Sequence, residues 1–148
     1  MLTEEQIAAY LEPLTAEQAE AIRAVRKLIA EYDPSLVEAI DEGKWFGGLL
    51  TYTIPDGMFV YALGPRAAGR TTFHMMPYYA SAVLQERHGA ALKPFLTGKS
   101  CIQFARYSQI PENAIRDIMS SAKAVLETAI KEREAHTEAM KARKKTKV

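Results

Sequence analysis

His74 is the best single candidate for chemistry, although an exposed or merely packed strand histidine is the plainer reading. His74 lies in the run TTFHM, out of phase with Phe73 and Met75. In a strand that turns those two into a core, the imidazole points at the opposite sheet face, placed to act as a general base or a ligand contact. Cys101 is the single cysteine, so the chain forms no internal disulfide. It is a nucleophile only where a neighbour lowers its pKa. Lys99 is two residues away, and a sheet can bring His74 across from it; a buried, inert thiol is the plainer reading. His74, His88 and His136 include no pair at helical metal-site spacing, and Cys101 has no CxxC neighbour. Gly98-Lys99-Ser100 resembles the end of a phosphate loop, but Lys93 stands where the first glycine belongs and the segment leads into a strand, not a helix. No GxSxG elbow supplies a serine nucleophile.

Two further groups carry binding chemistry. Trp45, Phe46, Tyr52, Tyr61, Phe73, Tyr78 and Tyr79 concentrate in one stretch, beside Lys44, Arg66 and Arg70. Rings next to cations line small-molecule clefts, although such rings also build the core of a small sheet. Trp45, Tyr61, His74, Lys99 and Arg106 are the expected ligand-binding set. The acidic N-terminal third offers carboxylates for a hard cation: Glu17 and Glu20 lie three apart on one helix, and Glu38, Asp41 and Glu42 lie within five residues. These five are the expected metal set. Glu20–Arg23 and Lys27–Glu31 are ordinary intrahelical pairs, so a solvated face is the plainer reading here too.

The elements that must position these groups follow from periodicity. Thr15 is a good N-cap with Gln18 completing a capping box, and Ala19, Ile22, Val25, Ile29 and Tyr32 recur at helical spacing, which predicts a helix over 15–32. Glu4 to Leu11 can form one or two turns ahead of Pro13. Asp33-Pro34 reads as a second cap opening a short helix over 34–40. Aromatic and β-branched runs predict strands over 49–54, 58–63 and 71–75, the first two joined by Pro55-Asp56-Gly57. Helices over 78–87 and 90–96 follow, with Gly89 and Gly98 as stops, then a strand over 101–107. Pro111 opens a last helix whose stripe runs from Ile115 to Ala129. The expected fold is one α+β domain over 1–130, with about four antiparallel strands, helices on one face and a long C-terminal helix; residues 131–148 form a basic, polar helical or frayed tail.

At 148 residues with 48% hydrophobic and 25% charged, the chain is neither disordered throughout nor a disulfide scaffold. The net charge of +1 conceals segregation: residues 1–42 carry −7, 43–130 carry +4 and 131–148 carry +4. The basic end would attract an acidic partner or nucleic acid, but three acids dilute it, so nucleic acid is a weak expectation. The start MLTEEQIAAYLEPL has no basic flank or long apolar run, and no stretch approaches the ~18 apolar residues of a membrane span. The expectation is a cytoplasmic protein without a membrane partner.

VEAIDEG, MFVYAL, FHMMPYYASAVLQ, TGKSCIQF and PENAIRDIM stand in an order and spacing that resembles the YdhG-like family of domains of unknown function. The likeness spans about Ile22 to Ala129. Glu42 and Trp45 stand where members carry an aromatic residue and a proline, which marks a divergent branch. Some members are described as frataxin-like iron chaperones. The resemblance implies a compact α+β fold, no organic cofactor, at most weakly bound iron, and intracellular iron handling. The reading is therefore a non-catalytic binding domain. The alternatives are a small-molecule binding protein or enzyme using the open sheet face, and a basic tail that contacts an acidic partner. A free sheet edge and a long amphipathic helix also allow a homodimer.

Overall fold

A computed structural model describes residues 1–43, 47–55 and 57–146, with side chains through 144. It is an α+β fold in which a five-stranded antiparallel sheet follows chain order, β1 to β5. The elements are α1 (Glu4–Leu11), α2 (Ala16–Tyr32), β1 (Val37–Ile40), β2 (Leu50–Thr53), β3 (Phe59–Pro65), β4 (Thr71–Met75), α3 (Met76–Ala80), α4 (Ala82–Leu92), β5 (Cys101–Phe104) and α5 (Glu112–Thr146). No helix among the described residues is long and apolar enough to cross a membrane.

Both N-terminal helices start on the same device. Thr3 and Thr15 each accept a hydrogen bond from the amide of the glutamine three residues on, and that glutamine side chain accepts from the threonine amide. Each box satisfies two amides that a helix start leaves unpaired. Downstream, Ala21, Ile22, Val25, Leu28 and Ile29 form the buried stripe of α2. They meet Leu50, Tyr52, Tyr61, Leu63, Phe73, Met75, Ile102 and Phe104 on one sheet face, and Ile115, Ile118, Met119 and Leu126 of α5 complete this core. Glu38, Tyr52, Tyr61 and Met75 form one row on that face; Ala39, Thr51, Ala62, His74 and Cys101 form the adjacent row on the other.

The sheet has one strand more than expected. The predicted helix over 34–40 is instead β1, paired with β2 from Val37–Thr53 to Ile40–Leu50. The local signal pointed to a helix because Asp33-Pro34 is a sound cap. Tertiary partners override it: Glu38 is buried, and an extended backbone aims it inward at Arg26 and Tyr52. The helix predicted over 78–87 is split into α3 and α4, and the one predicted over 90–96 does not form as a separate element. Ser81 separates α3 from α4, capping α4 through the Leu84 amide, and α4 runs past Gly89 to bury Leu92. The strand predicted over 101–107 stops at Phe104, which leaves Arg106 off the sheet. Helix α5 continues unbroken across residue 130, and residues 131–144 are all exposed.

Candidate functional site

His74 stands opposite Cys101 in the β4–β5 ladder, on the sheet face away from the helical core. Their side chains are in contact, imidazole Nδ1 against Sγ. The buried Ser100 hydroxyl lies 3.4 Å from Nδ1 and 3.3 Å from Nε2. Phe59 completes the group. A bulge sets Thr53 opposite Phe59 right after Tyr52 opposite Tyr61, leaving Val60 as the extra residue. Val60 joins the core, and the Phe59 ring comes within 5.4 Å of the His74 ring at a 40° tilt. His74 and Cys101 are both half-buried.

Burial pushes the Cys101 thiol up from its ordinary value, with the Arg66 guanidinium pulling the other way. Burial pushes the His74 imidazole down. Both effects favour the neutral forms, so the pair is thiol and imidazole rather than thiolate and imidazolium. Arg66 acts from the turn after β3, and its charge also opposes the burial that raises the Tyr10 phenol to about 12. The turn is fixed from the core side: the buried Gln18 side chain donates to the carbonyls of Arg66 at 3.2 Å and Arg70 at 2.8 Å. Gln18 thus caps α2 with its oxygen and tethers the cation-bearing turn with its nitrogen.

A neutral, half-buried thiol reacts slowly. At pH 7 Cys101 is expected to react with a disulfide reagent about tenfold or more slowly than in the urea-unfolded chain, and its rate should climb above the ordinary thiol pKa of about 8.5. A folded rate equal to the unfolded one would show an activated thiolate instead.

The other expected ligand residues do not join His74. Tyr61 is buried in the core and stacks on Phe73 at 5.4 Å, because its register partner is Met75 rather than His74. Lys99 is exposed beside Ser100, where it borders a groove with Tyr78, Tyr79 and Leu96. Arg106 lines a depression of about 340 Å³ with Glu17, Glu20, Tyr107 and Ser108. Trp45 lies outside the described residues.

The expected metal carboxylates also separate. Glu17 and Glu20 share their depression with the Arg106 cation, which opposes a metal ion there. Glu38 is fully engaged: Oε1 accepts from the Leu2 amide and Arg26, and Oε2 from Arg26 and the Tyr52 hydroxyl, each at 2.5–2.8 Å. Burial alone would raise the Glu38 carboxyl, yet the bonds from Arg26, Tyr52 and Leu2 together hold it below its ordinary value. Its lone pairs belong to the fold, not to a cation. Asp41 and Glu42 follow β1, away from α2 along the chain. Among the described residues, no three His, Cys, Asp or Glu side chains gather to hold a metal ion.

Fold and site together define a class: a five-stranded antiparallel α+β domain with a neutral His–Cys pair on the face opposite its helices. No protein-family model, no curated protein and no solved structure matches the chain.

Proposed function

We propose that the chain is a non-catalytic binding domain, and that its ligand is a small ring-bearing acid held on the sheet face at His74 and Cys101. The reading rests on one observation, the contact of His74 with Cys101, Ser100 and the Phe59 ring on one row of the sheet. The Phe59–His74 ring pair favours a ligand that itself carries an aromatic ring. The Arg66 charge, which reaches the thiol from the turn after β3, favours an acidic ligand. The Ser100 hydroxyl supplies a hydrogen bond that orients it. Neutrality of the pair favours binding over nucleophilic catalysis, which would need a thiolate. The iron-handling alternative rests on the YdhG-like resemblance alone.

The test is a titration of the isotopically labelled chain with benzoate and salicylate, followed by amide resonances. Shifts concentrated at residues 72–74 and 101–103 are expected, and Arg66→Ala should weaken them roughly tenfold, the worth of one charged hydrogen bond. Absent or scattered shifts, or shifts untouched by Arg66→Ala, would remove the proposal. Iron(II) that instead perturbs the amides around Glu17, Glu20 and Asp41 would transfer the function to the acidic residues.

A further inference from the structure

A groove of about 350 Å³ separates α4 from α5. Asp117, early in α5, fixes one end. Its Oδ2 accepts a hydrogen bond from Arg87 Nη1 at 2.7 Å and lies 2.6 Å from His88 Nε2. The bonds from His88 and Arg87 hold the Asp117 carboxyl below its ordinary value. A carboxylate only accepts, so His88 carries a proton on Nε2. At the other end, Ala80 shares the wall with Ala129 and Glu132, and all three also border the neighbouring groove toward the β2–β3 turn. The two helices therefore lie antiparallel along the groove. Val83, Leu84, Ala124 and Val125 line the stretch between its ends, and Val83 is 62% exposed.

Polar groups without partners mark both ends. Arg87 gives Asp117 only Nη1, and that carboxylate is shared with His88; the Arg87 Nε and Nη2 groups have no partner among the described residues. The Ser121 hydroxyl, half-buried in the same wall, has none either. Glu132 is exposed and takes part in no ion pair among the described residues. From this we infer that the groove binds a linear ω-amino acid, with its carboxylate at Arg87 and Ser121, its ammonium at Glu132 and its methylenes against Val83 and Val125. Charge complementarity selects this class. A simple alkyl acid leaves its apolar end against Glu132, and an alkylamine leaves its apolar end against Arg87; only a chain charged at both ends suits both. Length follows from the helix. Ser121 and Glu132 stand roughly 16 Å apart along α5 at 1.5 Å per residue. Helical side chains lean toward the N-terminus, which brings Glu132 back about one turn. Allowing about 2.8 Å for the charged contact at each end, the ligand charges should lie roughly 5–10 Å apart, the reach of ω-aminohexanoate and beyond that of glycine.

Titration of the isotopically labelled full chain with ω-aminohexanoate, followed by amide resonances, tests this. Shifts should concentrate at residues 81–87 and 121–132 and saturate with a Kd on the order of 1 mM. Hexanoate and hexylamine should each bind about tenfold more weakly, because each lacks one charged contact, and glycine should cause no saturable shift. Glu132→Gln, at an exposed helix position, should weaken ω-aminohexanoate by about the same factor and should not weaken hexanoate. Ser121→Ala should weaken both acids from the Arg87 end. Hexanoate or hexylamine binding as tightly as ω-aminohexanoate, an affinity that survives Glu132→Gln, or the absence of saturable shifts along the groove would overturn the inference. So would shifts confined to residues 72–74 and 101–103, which would put the chain on the His74 face and leave the ring-bearing-acid reading to its own titration.

Discussion

Arg26→Met should cost the fold about 3–5 kcal/mol, the usual penalty for leaving a buried charge without its partner. Glu38 is fully buried at its side chain and Arg26 is 17% exposed, so solvent cannot substitute for the guanidinium. Two of the four hydrogen bonds that described residues make to the carboxylate disappear together with the guanidinium that pairs it. The Leu2 carbonyl loses its bond from Arg26 as well. Chemical denaturation at pH 7 measures the loss. A change below about 1 kcal/mol would mean that the pair behaves like an exposed one.

The pH dependence separates this explanation from simple loss of packing. In the wild type, Glu38 titrates below its ordinary value in the fold. Its contribution is therefore complete above about pH 4.3, the unfolded value, and is lost as pH falls through the lower folded value. In Arg26→Met the buried carboxylate has no cation, and its folded pKa rises above the unfolded one. Protonation then relieves the variant as pH falls. The stability gap between the two proteins should narrow below about pH 4, whereas a packing defect would keep it constant.

Phe73→Ala should cost about 3–5 kcal/mol, in the range measured for aromatic truncations in cores. Phe73 has no exposed surface and lies in β4, flanked by Leu63 and Ile102 in the ladders and stacked by Tyr61. Close packing from both strands and from the helices limits collapse around the vacancy. The denaturation midpoint should fall with an unchanged slope. The adjacent change His74→Ala sits on the half-exposed face, and its cost should be smaller by several-fold. Equal costs would mean that both faces are core.

Helix α2 was legible because its cap and its apolar stripe are local: Thr15 and Gln18 need only each other, and the stripe needs only the helical period. The phase of His74 was legible for the same reason, since alternation along one strand fixes which face a residue takes. Strand β1 was not. Along it the acid points in while Val37 and Ile40 are exposed, which inverts the usual pattern. That inversion makes sense only once Arg26, twelve positions earlier, and Tyr52, fourteen later, are known to meet Glu38. Tyr61 was placed with His74 because the spacing of β3 and β4 does not give their register; the ladder pairs Tyr61 with Met75 and reverses its face. Arg66 stood out in the sequence only as one of several cations near the rings. Its link to the site passes through the Gln18 tether and the turn geometry, with Ala68 at φ 60°, and neither leaves a trace in spacing.

The sheet's chain order has a kinetic corollary. Strands β1 to β4 adjoin in sequence as well as in space, so they can zip together one hairpin at a time. Strand β5 joins only after α3, α4 and the segment up to Ser100 have closed a loop of 25 residues between Met75 and Cys101. Closing that gap costs more chain entropy than any earlier hairpin. The imidazole and the thiol sit on opposite banks of it. The site thus spans the longest connection within the sheet, and lifting β5 alone would take it apart while the β1 to β4 pairings remain.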